Sequence, residues 1–347
     1  AVYSDRAGVW SILSGWALRS NARSRRMRPV SRLLLVGLLL PALLLAATFT
    51  ARALAPVALD TVTWTGFAPA GWVTTLPVDS QVTAQAAAGL LPATAQYALS
   101  TDAGGSWSAW TAAGLTVSGP VSTTQTLAVT GLSWPDAAAD NLIRYRIQEA
   151  GGALELSPAY VVPVDTIAPV SQISQPAADA VLQVVPTIQG SASDATAGVG
   201  AVHLSIQDTT AGLYWHGTGW AAGEQWLATT LNGATWTYTG TPPGWTDATT
   251  YALRSRATDL AGHVETPGAG SHFTVDTTAP IVAVTAPNGG EVWAGGQTQT
   301  ITWQASDNVG LATNPITLRV SYDGGGAWAV IAAGQPHTGA YAWAAPA

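Results

Sequence analysis

The side chains that could carry chemistry are five histidines, His203, His216, His263, His272 and His337, and twenty Asp and Glu residues. No two histidines stand four residues apart, the spacing that lets one helix face grip a metal. There is no Gly-x-Ser-x-Gly elbow to expose a nucleophilic serine. The acids are spread singly and fall mostly in turns, so no pair is spaced for general acid and base work. Cys is absent and all thirteen basic residues are Arg. That removes thiol nucleophiles, disulfides and thiolate metal sites, and with Lys go Schiff bases and phosphate-cradling P-loops. No enzyme is expected, and no cofactor.

Two groups of residues could still hold a ligand. Asp194 and Asp307 lie near Gly198 and Gly310, and Asp165 and Asp276 stand in similar Asp-Thr-x-Ala-Pro words. Such oxygens can bind calcium between modules, but the commoner role of an isolated loop Asp is to cap its own turn. The second group is aromatic: Tyr214-Trp215-His216-Gly217-Thr218-Gly219-Trp220, with Trp226 and Trp236 beyond. Trp215 and Trp220, flanked by glycine, are the candidates for stacking on a sugar ring; packing is the competing role. Trp107, Trp303 and Trp328 sit in strand or hairpin contexts and are expected in the core.

The elements that must position these residues repeat. Asp165-Thr166-Ile167-Ala168-Pro169 returns 111 residues later as Asp276-Thr277-Thr278-Ala279-Pro280, and Ala192-Ser193-Asp194 returns 113 later at Ala305. Arg144-Tyr145-Arg146 returns as Arg254-Ser255-Arg256 after 110. Ser100-Thr101-Asp102-Ala103-Gly104-Gly105-Ser106-Trp107 returns after two periods, 221, at Ser321. A unit of this size is a domain, not a solenoid repeat. Within it, Ile143-Arg144-Tyr145-Arg146-Ile147 and Ile316-Thr317-Leu318-Arg319-Val320 alternate apolar with polar, as half-buried strands do. Gly-rich turns separate them, and only 10% of the chain is charged against about 25% in an average soluble domain. The expectation is an all-β chain of tandem immunoglobulin-like β-sandwich modules at 57–164, 165–276 and 277–347. The Arg-x-Arg strand is next due about 110 residues after Arg254, beyond Ala347, so the third unit is expected to lack its late strands.

These words resemble bacterial immunoglobulin-like and fibronectin type III-like modules of exported surface proteins. The resemblance is carried by Asp-Thr-x-Ala-Pro, by Ala-Ser-Asp with its following Gly, and by the stretch Tyr251 to Glu265. It implies a tyrosine corner at Tyr251. The words at Ser100 and Ser321 also resemble an Asp-box, known from sialidase propellers, with Ala327 where Ser or Thr is expected. An Asp-box is a hairpin device and not a catalytic one. Propeller copies would recur about every 40 to 50 residues, so hairpins within sandwiches are expected.

Eight Arg and one Asp precede Pro56; five Arg and nineteen acids follow. The acidic body excludes nucleic acid as a partner. Met27, Arg28, Arg32, the apolar run to Thr50 and the small residues through Ala55 read as a signal peptide, 27–55. Residues 1–26 read as upstream sequence outside the coding frame. The expected function is an exported non-catalytic array, secreted or at the cell surface, that acts as spacer or adhesive. Cell-surface polymers, glycans or other proteins are its expected partners, with membrane contact only through an uncleaved N-terminus. The alternatives are an accessory region of a larger secreted hydrolase and a carbohydrate-binding module.

Overall fold

The computed structural model describes residues 62–347; the upstream segment 1–26 and the signal peptide 27–55 lie outside the described residues. Every regular element among the described residues is a β-strand.

The first module holds β1 (Thr63–Ala68), β2 (Val78–Ser100), β3 (Leu115–Val117), β4 (Ser122–Leu132), β5 (Leu142–Glu149), β6 (Leu154–Leu156) and β7 (Tyr160–Val161). Its two faces share one strand. The first part of β2 pairs with β1 and β4, and its last part, from Leu90 to Ser100, pairs with β5. The changeover carries register shifts on both sides and Gly89 at φ 88°, a conformation that suits glycine. The result is β1-β2-β4-β3 facing β2-β5-β6, with β7 also on β5, the strand order of a constant-type immunoglobulin sandwich. The alternation of β5 is used as the sequence requires: Ile143, Tyr145 and Ile147 are fully buried against Val82, Leu90 and Leu127, while Arg144 and Arg146 point outward. The Tyr145 hydroxyl donates to Ser80 Oγ at 2.8 Å, and Ser80 donates to the Ala68 carbonyl, a chain that ties one sheet to the other.

The second module places β8 (Val170–Gln175), β10 (Gln189–Ser193), β15 (Thr230–Asn232) and β16 (Thr235–Thr237) in one sheet. The facing sheet has β9 (Ala180–Leu182), β11 (Val199–Asp208), β12 (Leu213–Trp215), β13 (Trp220–Ala221), β14 (Leu227–Ala228), β17 (Thr249–Asp259) and β18 (Ser271–Val275). Strand β9 adds parallel to β18; the other pairs are antiparallel. Leu204, Ile206, Tyr251, Leu253, Phe273 and Trp236 fill the core. Trp236 lies flat on Gly190 of β10, where a Cβ would stand 1.9 Å from the Gln172 carbonyl oxygen and 2.6 Å from the indole. The Tyr251 hydroxyl accepts the Thr246 N–H at 2.9 Å, the tyrosine corner implied by the resemblance.

The third module has β19 (Ile281–Ala286), β20 (Thr298–Ser306) and β23 (Ala340–Ala344) in one sheet and β21 (Ile316–Val320) with β22 (Ala329–Gln335) in the other. Its buried core is Ile301, Trp303, Ile316 and Leu318 alone. Trp303 is in the core as expected, but Trp328 is 60% exposed. Trp107 is also outside the core, half-buried on the outer face of its sheet. Strand alternation does not say which face of a sheet a hairpin tryptophan will cover.

Candidate functional site

The most built feature of this chain is its pair of joints. In the first, Val164 exchanges backbone hydrogen bonds with Ala137, and Asp165 N–H reaches the Val73 carbonyl, so the linker leaves the first module through isolated bridges to two of its loops. Asp136, in the loop between β4 and β5, then accepts the Thr166 N–H at 3.0 Å and the Thr166 hydroxyl at 3.0 and 3.1 Å. Asp165 is fully buried; its Oδ1 accepts the Ile167 N–H and its Oδ2 the Ala197 N–H of the second module.

The second joint repeats the first. Asp247, in the loop between β16 and β17, accepts the Thr277 N–H at 2.5 Å and the Thr278 hydroxyl at 2.6 Å. Its Oδ2 also accepts Asn308 Nδ2 of the third module at 2.7 Å. The Thr278 hydroxyl, and after it the Thr277 N–H, hold the Asp247 carboxyl far below the usual carboxylate range. Asp136 and Asp247 are 111 residues apart, as are Thr166 and Thr277, and as are Trp134 and Trp245 two residues before each acid. Each acid therefore reads as an ordinary turn residue until the same offset is applied to its partner thirty residues on.

A second repeated feature is the hairpin at Asp102. Its carboxylate accepts the Ser106 N–H at 2.9 Å and the Ser106 hydroxyl at 2.6 Å, while Ser100 Oγ accepts the Gly104 N–H. The Ser106 hydroxyl, then its N–H, then Ser100 lower the Asp102 carboxyl to about 2. Trp107 Nε1 donates to the Gly104 carbonyl, which fixes the indole outward. Arg144 of β5 lies over that ring at 3.9 Å, and Arg144 and Arg146 flank Trp110 at 4.9 and 4.4 Å. Arg146 is held in turn by Gln96 Oε1. In the second module Arg256 covers Trp226 at 4.3 Å. The copy at Asp323 keeps the fold of the turn, with Ala327 N–H on Asp323 Oδ1 and Trp328 Nε1 on the Gly325 carbonyl.

No protein-family model and no curated protein matches the chain. Among solved structures, the fibronectin(III)-like modules of Clostridium thermocellum CbhA are similar over 62% of this chain and 94% of their own, at 12% identity and a TM-score of 0.26. A structure of titin A168169 is similar over 57% of this chain and 90% of its own, at 11% identity and a TM-score of 0.21. The described chain is a set of tandem immunoglobulin-like and fibronectin III-like β-sandwich modules, and that statement rests on the sheet topology above.

The residues singled out for sugar contact pack on the core of the second module. Trp215 is 7% exposed and its Nε1 donates to the Thr241 carbonyl at 2.9 Å. Trp220 packs edge-on against it at 5.4 Å and stacks on Tyr251 at 6.0 Å. Trp245 and Phe273 close the cluster. The glycines turn a tight β12–β13 hairpin that folds these aromatics onto the core, with Trp215 buried and Trp220 half-buried. Trp215 therefore serves packing, the competing role, while Trp220 keeps part of its surface toward solvent.

The acids considered for calcium separate. Asp194 Oδ1 accepts the Thr196 and Gly198 N–H groups, and Asp307 Oδ1 those of Val309 and Gly310, so both cap their own loops. Asp276 accepts the Thr278 N–H. Asp165 instead meets Asp259 and His263, with one ligand atom from each within 4.8 Å of the others. Asp259 Oδ1 accepts the Gly262 and His263 N–H groups, and its Oδ2 contacts His263 Nδ1 at 3.0 Å. Calcium is usually held by six to eight oxygens. The two carboxylates here are occupied by four backbone N–H groups and an imidazole, a donor set suited to locking a joint.

Proposed function

We propose that this chain is an exported, non-catalytic spacer whose modules hold interaction surfaces in fixed relative directions. One observation carries the reading: the loop acid that grips the linker threonine occurs at both joints, at the period of the modules. A linker that only tethered its neighbours would need no such grip, and a relaxed tether is what Gly- and Ser-rich linkers provide. The signal-like segment 27–55 supports export, and the acidic body favours proteins or cell-surface polymers over nucleic acid as partners.

The absence of native cysteine makes the test direct. One cysteine introduced on an exposed strand residue of each of two neighbouring modules accepts a spin label without background. Pulsed dipolar measurement of the full chain should give a narrow distance distribution. Asp136→Ala should broaden it across the first joint only, and Asp247→Ala across the second only. Equal, broad distributions in the unaltered chain and both variants would overturn the reading.

A further inference from the structure

From Pro56 onward nineteen acids outnumber five arginines, yet the outer face of the first module carries a stripe of cations with no acid to meet them. Arg144 and Arg146 point outward from β5, two residues apart, so their stems stand about 6.5 Å from each other. Arg144 lies over Trp107 at 3.9 Å and Trp110 at 4.9 Å. Arg146 lies over Trp110 at 4.4 Å and is held by Gln96 Oε1. Stacking engages the face of a guanidinium and leaves its in-plane N–H fork for a carboxylate. Arg144 Nε has no hydrogen-bond partner among the described residues. Beside this stripe, on the same side of the sheet, runs an apolar one. Leu156 stands opposite Arg146, Leu154 opposite Gln148 and Val161 opposite Leu142, and all three are 44–50% exposed.

The second module shows what such an arginine accepts. Arg254 corresponds to Arg144, and Arg256 to Arg146, in the 110-residue repeat. Arg256 covers Trp226 at 4.3 Å as Arg146 covers Trp110, so the two rings correspond as well. Arg254 Nη1 donates to both carboxylate oxygens of Glu224, two residues before that tryptophan, at 2.9 and 3.0 Å. In the first module the residue two before Trp110 is Ser108, whose hydroxyl accepts the Leu99 N–H and donates to the Ala109 carbonyl. Among the described residues Arg254 has a carboxylate partner, and Arg144 and Arg146 have none.

We propose that the outer face of the first module binds an extended segment of another protein in which acidic and apolar residues alternate. The segment lies over the boundary between the two stripes. Its carboxylates, about 6.5 Å apart along an extended chain, meet Arg144 and Arg146, and the residues between them turn to Leu154, Leu156 and Val161. The carboxylate at Arg144 takes the part that Glu224 takes at Arg254. Protein fits this face better than polysaccharide, because Trp107 and Trp110 are engaged by guanidinium groups and the apolar stripe is aliphatic. A second copy does not supply the pattern, since no two acids of this chain stand at i and i+2. The proposal rests on the spacer reading and names one surface that the modules present.

The test uses the full chain and fluorescent peptides. Anisotropy at low salt should show Glu-Leu-Glu-Leu-Glu-Leu binding at least about fivefold tighter than Gln-Leu-Gln-Leu-Gln-Leu, as two held charge pairs would give. Arg144→Gln with Arg146→Gln should erase that difference, and Arg254→Gln should leave it. Leu154→Ser with Leu156→Ser keeps the stacked arginines and should weaken the acidic peptide at least about threefold. Asp136→Ala, which loosens the joint, should bind as the unaltered chain does, so failure here is distinct from failure of the spacer reading. Equal binding of the two peptides, acidic-peptide binding that survives loss of both arginines, or unchanged binding to the serine variant would each overturn the proposal. So would an oligomer of galacturonic acid that binds tighter through the same arginines, or self-association that their loss abolishes, since a polysaccharide or a second copy would then be the occupant.

Discussion

Glu265 joins the two sheets of the second module, and replacing it with glutamine tests whether that joint is electrostatic and specific. The residue is 9% exposed. Its Oε1 accepts the Ser171 N–H at 2.9 Å; its Oε2 accepts the Ser171 hydroxyl at 2.6 Å and the Ala257 N–H at 2.9 Å. Ser171 lies in β8, the edge strand of one sheet, and Ala257 lies in β17 of the other. Glutamine preserves shape but turns one oxygen into a donor. Whichever way the amide is placed, it faces a backbone N–H, and one buried donor is left unpaired. That costs about 1–3 kcal/mol, and loss of charge assistance on the remaining bonds adds about 1. The sum, about 2–4 kcal/mol, corresponds to roughly 30- to 900-fold faster exchange of core amides that open globally. Hydrogen exchange read on peptides covering β17, with β5 of the first module as internal reference, measures this directly. Acceleration of β17 by less than about fivefold would refute the argument, as would equal acceleration of β5. Ser171→Ala, which keeps the N–H, should have the smaller effect.

Gly190→Ala should destabilise the second module by about 3 kcal/mol, the upper end for overpacking, because the new Cβ meets backbone oxygen and indole together; calorimetry should show this transition alone moving down. Asp102 should titrate near pH 2 by carbon-detected NMR. Its folded-state value is depressed, so its contribution to hairpin order is present above the ordinary carboxylate range and is lost as pH falls toward 2. Ser106→Ala should raise that midpoint, and Asp323, whose turn has Ala327 in place of the serine, should titrate above Asp102.

The period of the chain was legible because several short words kept one register, and the modules follow from it. The alternation of Ile143-Arg144-Tyr145-Arg146-Ile147 also told truly which residues face inward. It could not tell what the arginines meet, because the tryptophans that they cover sit on a neighbouring hairpin 34 to 37 residues earlier. The setting of Trp215 and Trp220 was hidden for a related reason. Glycine beside aromatic residues marks a turn, but whether the turn folds over the core or away from it depends on Tyr251 and Trp245, which are distant in sequence. Asp136 and Asp247 were hidden differently: their spacing is in the sequence, yet a single Asp after a Trp carries no sign of the threonine it will hold.

The grip on Thr166 and Thr277 sets how the chain can yield. Each linker from Asp to Pro has five residues, and a fully extended chain spans at most about 3.6 Å per residue. The residue before each proline is already biased toward extended backbone. Opening a joint therefore releases little slack, under about 18 Å in total contour, while it frees the direction of the next module. A run of such modules pulled from its ends would lose alignment long before it gained length. Its compliance would reside in bending at the joints, and its reach would change only when a module itself unravelled.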